Sequence, residues 1–275
     1  MFDQEAHVLS NTQDRPSLPL YLSEPYRATA DYGLYLATSP LLRALPSGDG
    51  HPVLVLPGLM TDDTSTRVLR RTLRGLGYRA HGWRLGRNIG PTPTVVTGLR
   101  DRLEQLAERY DRPVTLVGWS LGGIFARDLA RRTPASVRQV ITLGSPFRMA
   151  STNQSRAHRT FERYSHLHVE PFALPLEGDR GPLPMPSTSV YSRYDGIVHW
   201  QACLETPGAR AENVAVHASH LGLGHHPAVL YAVADRLAQR EGTWRPFRAP
   251  LALRPLFPPA DEPAAGRPVG TGSAA

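Results

Sequence analysis

Ten residues constrain this chain more than any others: Val114 to Gly123, Val-Thr-Leu-Val-Gly-Trp-Ser-Leu-Gly-Gly. They read as a buried strand, a very tight turn holding Ser120, and a helix that starts at Leu121. The turn fits G-x-S-x-G as Gly118-Trp119-Ser120-Leu121-Gly122. A strand reversing straight into a helix crowds the backbone around the serine, so only glycine fits two residues to either side. Ser120 is then held at the tip with its hydroxyl exposed. The Leu121 N–H lies at a helix N-terminus, where unpaired donors and the positive dipole end favour an oxyanion. The following helix places Ile124, Phe125 and Leu129 inward and Arg127, Asp128, Arg131 and Arg132 outward. A glycine-rich turn with a bystander serine gives the same short match, so the rest of the chain must supply a base and an acid.

Length allows one large α/β domain with a full core or at most two small ones, since the chain has 275 residues. All 31 basic residues are arginine, and they bring the formal net charge to +7. The charge is scattered: Arg67, Arg70, Arg71 and Arg74 recur at helical spacing as a solvated face, with no aromatic-interleaved basic stripe. Nucleic acid is therefore not an expected partner. A single cysteine, Cys203, excludes an intrachain disulfide framework. Met1 to Glu5 has neither a basic nor an apolar leader pattern, and no run approaches the roughly 20 apolar residues that span a bilayer, so stable membrane insertion is not expected. The expected location is cytoplasmic. The oligomeric state is left open.

Residues 1–51 read as an arm, broken by Pro16, Pro19 and Pro25, followed by an amphipathic covering helix over Tyr26 to Leu45. Residues 52–242 alternate apolar runs with helical patterns: a strand at Pro52 to Leu56, a helix capped by Thr61-Asp62-Asp63 and running through Leu76, and a strand at Tyr78 to Trp83. A helix from about Thr94 to Tyr110, the elbow, and strands at Val137 to Leu143, Ser187 to Tyr191 and Asn213 to Ala218 follow, before a closing helix to about Gln239. This order predicts an α/β fold with a doubly wound, mostly parallel sheet and helices on both faces. Within it, 148–186 breaks the pattern and reads as a short cap or lid insertion over the active edge. Residues 243–275, rich in proline and alanine, read as a disordered tail, with Phe247 to Leu256 as the part able to lie on the body.

Ligands of such sheets bind beyond the carboxyl ends of the strands. Pro57-Gly58, Ser120 and Ser145-Pro146 all fall there, and His220 lies in the loop just past the last strand. Leu59 or Met60 offers a backbone N–H beside the serine, with Gly58 allowing close approach. Arg87 and Asn88 are candidates for the mouth of the site. Asp195 sits in an Asp-Gly turn after its strand. Four histidines, His217, His220, His225 and His226, crowd together, but without a fixed-spacing metal pattern, so neither a metal nor a cofactor is expected. His220 is the preferred base, with His225 as the competing assignment.

The chain order Ser120, Asp195, His220 is that of α/β-hydrolases. From Pro52 to Gln239 the sequence resembles a bacterial α/β-hydrolase of the lipase/esterase type. Val-Leu-Val-Leu-Pro-Gly-Leu, Gly-Trp-Ser-Leu-Gly-Gly, Leu-Gly-Ser-Pro-Phe, Tyr-Asp-Gly-Ile-Val and Ser-His-Leu-Gly-Leu carry the resemblance. It implies Ser120 as nucleophile, His220 as general base and acid, and Asp195 as the residue that orients the imidazole. It further implies an oxyanion hole made of the Leu59 and Leu121 N–H groups, an acyl-enzyme intermediate, and a small-molecule ester or lipid-like substrate. The chain departs from many lipases in having Pro57-Gly58 where they have His-Gly. Acyl transfer to an alcohol or thiol would use the same residues, and a non-catalytic binding protein would keep the elbow as scaffold.

Overall fold

The continuous apolar runs become the centre of one parallel sheet. The computed structural model describes residues 15–169, 180–206 and 208–263. In chain order the strands are β1 (Pro52–Leu56), β2 (Arg79–Gly82), β3 (Val114–Trp119), β4 (Val137–Leu143), β5 (Ser187–Tyr191) and β6 (Ala211–Ala215). The helices are α1 (Leu18–Thr38), α2 (Arg67–Gly75), α3 (Pro93–Tyr110), α4 (Leu121–Arg132), α5 (His158–Glu162) and α6 (Pro227–Ala238). Every paired strand is parallel, in the order β2-β1-β3-β4-β5-β6.

Strand residues alternate between two apolar layers, as the pleat requires. Val53 and Val55 face a layer that contains Leu69 and Leu73 of α2 and Leu230 and Val233 of α6. Leu54 and Leu56 face the opposite layer, built from Leu99 and Leu103 of α3 and Phe125 and Leu129 of α4. Burial on both faces explains why β1, β3 and β4 are uninterrupted buried runs. The strand order reverses between β1 and β3, so the loops leaving these two strands lie side by side at the carboxyl edge.

Beyond shifts of a few residues at the ends of β2 and β6, the structure departs from the sequence expectations in four places. First, the amino-terminal helix spans Leu18–Thr38 instead of starting at Tyr26. Ser17 caps it through the Leu20 N–H, and Pro25 sits inside it. Second, α2 starts only at Arg67, because Asp62 and Asp63 act elsewhere: Asp62 accepts from the Thr64 N–H at 2.7 Å, and Asp63 accepts from the Trp83 and Arg84 N–H groups at 3.0 and 3.1 Å. Third, Arg127 lies inward on α4, 2% exposed and paired with buried Glu205. Fourth, residues 243–263 lie on the body: Phe247 and Phe257 pack on the α6 layer, and Asp261 accepts from Tyr191 and Arg193. The remainder of the expected disordered tail, and residues 170–179 of the expected cap, lie outside the described residues.

Candidate active site

The elbow is as tight as its glycines imply. A Cβ on Gly118 would lie 2.3 Å from the Gly123 Cα, and one on Gly122 would lie 2.5 Å from the Leu56 carbonyl oxygen. Both obstacles are backbone, so no side chain can be accommodated by rotation. Ser120 itself has φ +53° and ψ −121°, a conformation that costs a non-glycine residue about 1–3 kcal/mol. Its N–H donates to the Leu143 carbonyl at 2.8 Å, which pins the turn to the end of β4.

The β1 loop is braced by Asn88, fully buried rather than lining the mouth. Its side-chain amide donates to the Pro57 carbonyl at 2.8 Å, its N–H donates to Thr61, and its carbonyl accepts from Met60 at 2.7 Å. The Met60 N–H is thereby occupied. Among the described residues, the Leu59 and Leu121 N–H groups donate to none. Leu59 lines the same cleft as Ser120, and Leu121 opens α4 directly after it.

Asp195 and His220 meet below this cleft. His220 Nδ1 lies 2.5 Å from Asp195 Oδ2, while Asp195 Oδ1 accepts from the Ile197 and Val198 N–H groups at 2.9 and 2.7 Å. Both side chains are almost fully buried, yet His220 also lines the cleft beside Ser120. Burial disfavours the imidazolium, but the Asp195 charge and hydrogen bond, together with the Glu24 charge, outweigh it and raise the His220 pKa above the ordinary histidine value. The indole of Trp119, next to the serine, donates to the His220 carbonyl at 3.2 Å.

The other three histidines have separate partners. His225 Nε2 bonds the Ala28 carbonyl at 3.2 Å, His226 caps α6 through the Ala228 N–H, and His217 stacks obliquely on Tyr194. No three of the described histidines, cysteines or carboxylates gather as a metal site would need. The Cys203 thiol is buried, which pushes its pKa well up.

Two adjoining spaces flank Ser120. One, about 200 Å³, is bounded by Tyr21, Met60, Thr160, Arg156 and Leu221. The other, about 40 Å³, is apolar, with Leu121, Ile124, Pro146, Met149 and Phe161. Part of the expected cap therefore forms the walls: Arg156, Ala157 and Thr160 on one side, His158 and Phe161 on the other.

Sequence reasoning missed two carboxylates of α1. Glu24 and Asp31 are seven residues apart, two helical turns, and so share one face. Both reach the His220 loop: Glu24 accepts from the His220 and Leu221 N–H groups, and Asp31 from the Ser219 N–H and hydroxyl. The available signal was that i, i+7 spacing of two acids, with Arg27 between them.

No protein-family model and no curated protein matches the sequence. Solved structures do match by shape. Aspergillus fumigatus lipase B superposes with a TM-score of 0.56 at 16% identity, over 72% of this chain and 56% of that one. Bacillus licheniformis lipase BlEst2 superposes with a TM-score of 0.52 at 16% identity, over 71% of this chain and 96% of that one. The chain has the α/β-hydrolase fold. It spans little more than half the length of the fungal lipase, and at these identities the likeness concerns the fold alone. Within the α/β-hydrolase fold the loops after β1, β3, β5 and β6 converge on one cleft, and they carry Leu59, Ser120, Asp195 and His220. Among the described residues no helix is long and apolar enough to cross a membrane.

Proposed function

We propose that this protein is a serine hydrolase that cleaves carboxylic esters through Ser120, His220 and Asp195. The observation that carries the reading is the 2.5 Å contact between His220 and Asp195 beside a strained serine in a shared cleft. Ser120 Oγ attacks the ester carbonyl carbon while His220 Nε2 takes its proton, giving a tetrahedral oxyanion held by the Leu59 and Leu121 N–H groups. Each such donor is worth roughly 3 kcal/mol in the transition state. Collapse breaks the carbon–oxygen bond to the alcohol, which leaves with the proton from His220. Water, deprotonated by the same imidazole, then hydrolyses the acyl-enzyme and regenerates Ser120. Asp195 keeps the proton on Nδ1 and stabilises the imidazolium formed in each step.

The test is single-turnover mass spectrometry of the protein mixed with p-nitrophenyl butyrate. The expected result is a transient butyryl adduct on the peptide that contains Ser120. Turnover without any acyl adduct on that peptide would remove the proposed intermediate.

The pH dependence follows from the His220 environment. Only neutral His220 can accept the Ser120 proton, and its pKa is raised, so the active form accumulates at higher pH than for an ordinary histidine. kcat/KM should therefore rise with pH through a midpoint above 6.5. A profile already flat from pH 6 upward would contradict the assignment.

The smaller apolar space is the natural seat of the acyl chain, because it opens directly at Ser120 and Leu121. Its volume of about 40 Å³ suits a short chain. p-Nitrophenyl acetate and butyrate should be turned over faster than the palmitate ester. Met149→Ala should move the preference to longer chains by enlarging that space. An unchanged chain-length series in Met149→Ala would place the acyl group elsewhere.

A further inference from the structure

The α1 helix brings one buried carboxylate to both of the loops that carry the proposed acid and base. Glu24 is 2% exposed. Its Oε1 accepts from the Gly196 N–H at 2.8 Å and from the His220 N–H at 3.1 Å, and its Oε2 accepts from the Leu221 N–H at 3.1 Å. Arg27 closes the arrangement, donating to Glu24 Oε1 at 2.8 Å and to the Tyr194 carbonyl at 2.7 Å. The backbone just after Asp195 and the backbone of His220 and Leu221 are thus tied to a single side chain 172 to 197 residues away in sequence, while the Tyr194 carbonyl before Asp195 is held by its partner Arg27.

We propose that Glu24 is a positioning residue of the active site, holding the Asp195 and His220 loops in register. The proposal rests on the reading of these two residues as acid and base. Simple packing needs neither a carboxylate nor its burial. A buried carboxylate is costly to desolvate unless hydrogen bonds and opposite charge compensate, and here three loop N–H groups and a guanidinium do so. The same charge favours the imidazolium that forms at His220 during catalysis.

The other groups facing His220 do not duplicate this role. Asp195 bonds the ring itself. Asp31 bonds Ser219 one residue earlier, Arg27 bonds Glu24, and Tyr21 and Arg156 line the cleft with the Arg156 guanidinium bonded to the Pro16 carbonyl. The Cys203 thiol near Asp195 stays protonated, since burial raises its pKa. Asp31→Asn therefore serves as a control that loosens the same loop from the same helix without removing the charge at the His220 backbone.

The experiment compares wild type, Glu24→Gln, Glu24→Asp and Asp31→Asn. It follows thermal melting, ester hydrolysis against pH, and the NMR titration of the His220 imidazole. Glu24→Gln keeps the shape but turns one acceptor into a donor that faces an N–H. It should lower kcat at least tenfold with little change in KM, and lower the His220 titration midpoint, because the Glu24 charge favours the imidazolium. Asp31→Asn should leave that midpoint in place. Glu24→Asp keeps the charge while shortening the reach, so it should retain the midpoint and lose kcat; it decides the matter if Glu24→Gln does not fold. Wild-type kcat and midpoint in Glu24→Gln would overturn the proposal. So would equal losses in Glu24→Gln and Asp31→Asn that track melting temperature without moving the midpoint. The NMR titration needs no turnover, so absence of esterase activity would sink the hydrolase reading separately from the positioning role.

Discussion

Ser120→Ala and His220→Ala are each expected to lower kcat for p-nitrophenyl butyrate by about 10⁶-fold, and the double variant to be no slower than either single one. Nucleophile and base act as a unit, so losing one already forfeits what the pair supplies. Residual turnover should remain above that of water alone, because the Leu59 and Leu121 N–H groups and the cleft are untouched. His225→Ala should keep most activity, since His225 bonds the Ala28 carbonyl and packs on Tyr32 away from the serine. Steady-state kinetics on the four proteins, each checked for cooperative melting, decides this. Loss in His225→Ala with retention in His220→Ala would move the base.

Arg127→Met is expected to destabilise the fold by about 3–5 kcal/mol, because it strands a buried carboxylate. Arg127 and Glu205 are each 2% exposed. The guanidinium pairs with both Glu205 oxygens and lies 3.9 Å from the Phe147 ring centre. Glu205 also accepts from the Ser187 hydroxyl at 2.9 Å and the Thr206 N–H at 3.1 Å, so it cannot simply turn away. For a chain of this size the expected loss corresponds to a melting temperature lower by roughly 10 °C. Arg127→Met with Glu205→Leu should recover part of it, the remainder reflecting donors at Ser187 and Thr206 left without their acceptor. Differential scanning calorimetry reads both, and a shift under about 2 °C for Arg127→Met would contradict the buried-pair account.

What the sequence conveyed and what it withheld divide along contact distance. The elbow is local: strand, turn glycines, serine and helix start are contiguous, so sterics within ten residues dictate it. The parallel sheet was readable because two-sided burial leaves uninterrupted runs such as Val53 to Leu56. Arg127 was misplaced because α4 has charge on more than one face, and only its meeting with Glu205, 78 residues away, decides which arginine is inside. The start of α1 was missed because Pro16, Pro19 and Pro25 suggest a broken arm, whereas Pro19 occupies the first turn, where no N–H is needed. With the first turns of that helix went Glu24, whose partners lie on loops formed only after β5 and β6. Asp62 and Asp63 are good capping residues, yet the exit of β2 competes for Asp63 and wins.

Everything proposed for this cleft depends on Ser120 being an activated nucleophile at the tip of the elbow. That activation is tested most directly by treating the protein with a fluorophosphonate probe and mapping the adduct by mass spectrometry in wild type and Ser120→Ala. One stoichiometric adduct is expected on Ser120, formed faster as pH rises through the His220 midpoint and absent in the variant. Well-folded protein that stays unlabelled, or that is labelled equally in Ser120→Ala, would contradict it and leave the elbow as scaffold.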